Sequence, residues 1–85
     1  MSRKHHYLKT MPQFFDDVRS EKKTFEVRFN DRDFHEGDIL HLQEYNGTEL
    51  TGWEIRANVT YVLDDPRFCK EGFVVMGIEV YATSD

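Results

Sequence analysis

The most regular feature of the chain is an alternation running from Trp53 to Leu63. Trp53, Ile55, Ala57, Val59, Tyr61 and Leu63 form one apolar row, while Glu54, Arg56, Asn58 and Thr60 occupy the positions between them. Successive strand residues point to opposite faces, so this period of two predicts a long strand with one buried side. Asp64-Asp65-Pro66 ends it. A second strand is predicted over Ile39–Tyr45, entered through a tight turn at Phe34–Asp38. Asn46-Gly47 then predicts a hairpin, because both residues accept positive φ at low cost. Phe73–Tyr81 is apolar on both faces through Val74, Val75, Met76 and Ile78, the pattern of a central strand. Phe25, Val27 and Phe29 alternate with Glu26, Arg28 and Asn30, which predicts a strand with one apolar and one polar face.

One stretch has a helical period instead. Met11, Phe14, Phe15 and Val18 fall at i, i+3, i+4 and i+7 and predict an apolar stripe against the core. Thr10 reads as the N-cap, with Pro12 near the first helical position and Gln13 at capping-box spacing. Asp16 and Asp17 fall in the early turns and Arg19 near the end, as the helix dipole favours, and the helix is expected to stop near Ser20. Tyr7 and Leu8 suggest a short strand before it. One short N-terminal helix and about five strands predict an α+β fold, a small mixed β-barrel that hides its sheet edges.

Composition narrows this. A chain of 85 residues, 39% hydrophobic, fits one domain over residues 1–85. At this length only about 60–65% of the unfolded surface is buried, so the core should lean on aromatic residues. Seven Phe, four Tyr and one Trp supply them. The single Cys69 cannot form an internal disulfide, no apolar run reaches membrane-span length, and Met1–His6 leads into no signal-peptide core. The expected location is the cytoplasm, with no membrane partner. Sixteen acidic residues against eleven basic give a net charge of -5. That argues against coating nucleic acid with a broad basic face, but leaves room for a pocket built from a few local cations.

The candidate chemistry lies around the polar row after the helix. Lys23, Glu26 and Arg28 fall within six residues and are followed by Asn30, Asp31, Arg32 and Asp33. Glu26 and Arg28 share a strand face. They make either a solvated strand edge of alternating charge or a charged pocket in a barrel mouth, where Arg28 meets an anion or base edge. Lys9, just ahead of the helix, is placed to end the first strand near the same cleft. Other groups carry less. His5-His6 sit together without a carboxylate cluster, so no metal is expected. His35 and His41 lack an evident triad partner and read as structural or surface residues. Cys69 beside Lys70 reads as an ordinary loop cysteine, and Trp53 as a core or barrel-mouth residue.

Lys23-Thr24-Phe25-Glu26-Val27-Arg28 resembles the Gly-x-Lys-x-x-Glu-x-Arg motif of the ASCH family, a branch of the PUA-like superfamily. His6-Tyr7-Leu8-Lys9, Pro12, Phe15, Asn30-Asp31-Arg32-Asp33-Phe34, Gly37-Asp38-Ile39-Leu40 and Ile55-Arg56 extend the resemblance to small ASCH-like proteins of bacteria and phages. The motif's Gly position holds Glu21, so that turn must manage without glycine. The resemblance implies a PUA-like barrel of five to six strands with a short helix, whose cleft is lined by the motif's Lys, Glu and Arg, binding RNA or a nucleotide or nucleoside without a cofactor. The expected binding set is Lys9, Lys23, Glu26, Arg28, Asn30 and Arg32. An enzymatic branch that removes an acyl group from modified cytidine has a Thr where this chain has Glu26, and a carboxylate does not replace a hydroxyl nucleophile. A modified-nucleoside amidohydrolase is therefore the weaker reading. A protein-interaction module of a mobile element is a third.

Overall fold

The computed structural model describes residues 3–85; Met1 and Ser2, part of the N-terminal run read against a signal peptide, lie outside them. The elements are β1 (His5–Thr10), α1 (Pro12–Arg19), β2 (Phe25–Phe29), β3 (Ile39–Tyr45), β4 (Leu50–Leu63) and β5 (Phe73–Ser84). The five strands form one mixed sheet in the order β1-β3-β4-β5-β2, curled into a half-barrel. β1 runs parallel to β3, with Tyr7 opposite His41, and every other pairing is antiparallel. Parallel neighbours need a crossover, and α1 with β2 and its loop supply it. The core joins Leu8 of β1, Phe15 and Val18 of α1, Leu40 and Leu42 of β3, Ile55, Ala57 and Val59 of β4, and Val74, Met76 and Ile78 of β5. No helix among the described residues is long and apolar enough to cross a membrane.

Several local expectations change. Thr10 is the last residue of β1 and is buried, so it does not cap α1. Met11 holds the N-cap position without a side-chain bond, and Asp16 and Asp17 lie beyond the first turn. Only Phe15 and Val18 of the helical stripe are buried; Met11 and Phe14 are open. The Asn46-Gly47 hairpin forms, but as a four-residue connection, because Tyr45 pairs with Leu50. Asn46 Oδ1 accepts from the backbone N–H groups of Thr48 and Glu49, both at 3.0 Å, which closes the turn through a side chain.

The alternation in β4 breaks near Thr60. Val59 pairs with Ile78 and Tyr61 with Gly77, so the register slips by one residue. Ile55, Ala57 and Val59 face the core; beyond the bulge Val62 packs inward and Tyr61 is 59% exposed. A bulge inserts a residue and so exchanges the two faces downstream of it. Gly77 permits the close approach, since a Cβ there would lie 2.9 Å from Thr60 Oγ1.

The turn after α1 is built as a Schellman motif. Lys22 N–H donates to Asp17 O at 2.9 Å and Glu21 N–H to Val18 O at 3.0 Å. This motif puts the residue after the helix cap in the left-handed region, and Glu21 has φ 64°. Backbone geometry here calls for glycine, and a glutamate adopts it at a steric cost.

Candidate functional site

The two edges of the half-barrel, β1 and β2, carry no mutual strand ladder. Arginine side chains bridge them. Arg28 donates from Nη1 to the Lys9 carbonyl at 3.0 Å and from Nη2 to Thr10 Oγ1 at 3.2 Å, while Arg32 Nη1 reaches the Tyr7 carbonyl at 2.8 Å. Guanidinium groups thus cap carbonyls along an edge strand, and the seam stays accessible from outside.

Beside this seam lies a cleft of about 560 Å³, lined by β1, the start of α1, the α1–β2 turn and β2. Its charged residues are Lys9, Lys22, Lys23 and Arg28 against Asp17 and Glu26, a local cationic excess in an acidic protein. At its centre Glu26 is only 3% exposed, although a strand's polar row ordinarily faces water. The faces of β2 are the reverse of the usual arrangement: Phe25, Val27 and Phe29 are 44%, 49% and 56% exposed. The physical reason is pairing. Arg28 Nε donates to Glu26 Oε2 at 3.2 Å, and Lys23 Nζ lies 3.4 Å from Oε1, so the inward carboxylate is flanked by two cations. Outside, Phe29 rests edge-on against Phe73 and touches Gly72, and the Lys23 ammonium lies over Phe25.

Glu26 is nevertheless incompletely satisfied. Lys23 is within ion-pair distance of Oε1 but without hydrogen-bond geometry, and its ammonium donates to the Phe25 carbonyl at 2.7 Å. Oε1 is a buried carboxylate oxygen that accepts no hydrogen bond from the described residues. Such groups are uncommon and call for an explanation. The rings of Phe14 and Phe25, both lining the cleft, have their centres 5.7 and 4.9 Å from the same ammonium.

Of the six residues expected to bind, Lys9, Lys23, Glu26 and Arg28 come together here. Asn30 and Arg32 do not line the cleft. Asn30 Oδ1 accepts from Phe34 N–H at 3.1 Å, and Arg32 is spent on the seam. Thr10, Phe14 and Phe25 were missed as site residues: Thr10 carried the sequence signal of a helix cap, and the two Phe carried that of core. Phe25 lies within the motif itself, while Thr10 and Phe14 come beside it only in space.

Two further polar clusters lie elsewhere. His5 and His6, adjacent on β1, point to opposite faces and cannot share a ligand. His6 Nε2 and Asp38 Oδ2 are 2.9 Å apart and buried, with the His6 ring edge-on to Phe34. Burial alone would raise the Asp38 pKa. Hydrogen bonds from His6 and from the backbone N–H groups of His35 and Lys4, with the His6 charge, outweigh that and hold it below the ordinary value. His41, read from the sequence as a structural or surface residue, is buried and links two groups: His5 Nδ1 to its Nε2 at 2.8 Å and Glu54 Oε2 to its Nδ1 at 3.0 Å. Burial again raises the Glu54 pKa, but His41, Gln43 and Arg56 together bring it below the usual value. The pairing of β1, β3 and β4 aligns this row, which their distant sequence positions conceal.

Fold and site together define a small half-barrel domain with a confined cationic cleft at an arginine-bridged seam. Residues 5–78 match a family described as a domain of unknown function, DUF3850, and the chain belongs to it. It is also similar to a protein of Escherichia phage P2, described as an uncharacterized 12.9 kDa protein in the GpA 3′ region. The two are 38% identical over 64 residues, which cover 75% of this chain and 59% of that relative.

Proposed function

We propose that this domain is an RNA- or nucleotide-binding module of ASCH and PUA-like type, with the Lys23–Glu26–Arg28 cleft as its binding site. The observation that carries this reading is the buried Glu26 carboxylate, held between Lys23 and Arg28 with Oε1 lacking a hydrogen bond. A ligand phosphate draws the Lys23 ammonium aside, and an exocyclic amine or ribose hydroxyl then donates to the uncovered Oε1. Phe14 and Phe25 offer faces against which a base stacks. The resemblance of Lys23-x-x-Glu26-x-Arg28 to the ASCH motif supports the same reading.

Hydrolysis is the less favoured alternative. Among the described residues the one hydroxyl lining the cleft, Thr10 Oγ1, accepts from Arg28 and donates to the Leu8 carbonyl at 3.4 Å, so its proton is not directed to a base.

The test is calorimetric titration with the four 5′-nucleoside monophosphates and short single-stranded RNA at low salt. Binding should weaken with salt at a slope of about -0.7 per phosphate contacted, corresponding to one or two phosphates. Lys22→Ala should weaken it about 3- to 10-fold with the fold unchanged. Absence of binding by every nucleotide and RNA tested would eliminate the proposal, and capture of a protein partner without nucleic acid would favour an interaction module.

A further inference from the structure

A second pocket of about 740 Å³ adjoins the cleft on its β1 side, between the start of α1 and the hairpin that joins β3 to β4. The two share Lys9, Thr10 and Met11, which stand between them as a common wall. The second pocket adds Tyr45, whose ring lies 4.6 Å below the Lys9 ammonium. It is at least as spacious as the first and does not include Glu26, so a nucleotide confined to the Glu26 cleft does not fill it.

From this arrangement the geometry points to a bipartite site for single-stranded nucleic acid, in which two successive nucleotides occupy the two pockets. This rests on the nucleotide reading of the first cleft and goes beyond it by selecting a strand over a free mononucleotide. One base stacks on a Phe14 or Phe25 ring in the Glu26 cleft. The linking phosphate crosses the shared wall, where Lys9 from the outer face of β1 is the available cation and Arg28 lies just inside. The following base stacks on Tyr45. Lys9 now rests on the Tyr45 face, an arrangement in which a cation occupies the place of a ligand's ring. A dinucleotide replaces that contact with two better matched ones, phosphate on ammonium and base on phenol ring. Charge complementarity favours this occupant over an apolar peptide, because the wall between the pockets carries Lys9 and no carboxylate.

The decisive comparison is between the 5′-nucleoside monophosphates and a randomised 5′-phosphorylated RNA dinucleotide, titrated into the full chain and followed by backbone amide NMR shifts. The dinucleotide should bind about 10-fold or more tightly than the best monophosphate and should shift Tyr45, Asn46 and Gly47 amides that monophosphates leave in place. Tyr45→Ala should erase the gain, and Tyr45→Phe, which keeps the ring and guards against a folding defect, should restore it. Equal affinity of dinucleotide and monophosphate, or a gain that survives Tyr45→Ala in a folded protein, overturns the bipartite site while leaving the single-nucleotide cleft standing. Failure of both ligands overturns the cleft reading as well.

Discussion

Glu26 concentrates the unusual physics of the molecule in one side chain. It is an acidic residue on a short strand, turned inward, with Lys23 and Arg28 on either side. Removing one member of a buried ion cluster leaves the others desolvated without compensation. Glu26→Gln should therefore cost about 2–4 kcal/mol in urea unfolding, more than a surface pair is worth. Arg28→Ala should cost a similar amount, because it removes the cation on Oε2 and two seam bonds together. Arg28 is consequently a poor residue for testing ligand binding alone, and Lys22 is a cleaner probe. Glu21 carries the opposite expectation. At φ 64° it takes a conformation glycine adopts freely, so Glu21→Gly should stabilise by about 0.5–1 kcal/mol, seen as a higher urea midpoint with unchanged slope.

At the scale of elements, the β4–β5 pair and the β1–β3 pair decide which residues meet. The bulge near Thr60 returns Val62 to the core and turns Tyr61 outward, and it depends on the bare Cα of Gly77. Gly77→Ala should lower stability by about 1–3 kcal/mol, with protection from hydrogen exchange lost first along residues 59–63 and 75–78. The parallel β1–β3 pairing brings His5 beside His41, and β3–β4 brings His41 beside Glu54. Helix α1 shows the same lesson from the other side. Its period was legible, but Met11 and Phe14, read as core, lie open where the half-barrel leaves its cleft.

Across the whole molecule, closure is achieved by side chains where a full barrel would use a backbone ladder. Arg28 and Arg32 cross from the β2 side to carbonyls of β1, while Asp38 ties the loop before β3 to the N-terminal strand through Lys4 N–H and His6. Asp38 makes that tie sensitive to acid. Its folded pKa lies below the ordinary 3.8, so its contribution is complete above that value and is lost as pH falls through the folded value. Glu54, lowered from 4.5, acts in the same sense. Unfolding followed by circular dichroism should show stability declining below about pH 4, and Asp38→Asn should be less stable at neutral pH with a shallower acid decline.

The order of these elements was written in short-range patterns that depend on neighbours along the chain. Strand alternation over Ile55–Val59, the apolar character of Val74–Ile78, the helical period through Phe15 and Val18, and the Asn46-Gly47 turn all report local burial, and local burial is what periodicity encodes. The clustering of Lys23, Glu26 and Arg28 was equally legible, being contained within six residues. Which way that cluster faced was not. An alternating strand reads the same with either face inward, and only the curl of the sheet, which sets Arg28 against Lys9 and Thr10, made the charged side the interior one. Thr10 and Phe14 joined the cleft for the same reason: their positions arise from contacts between elements, where sequence separation says little about distance.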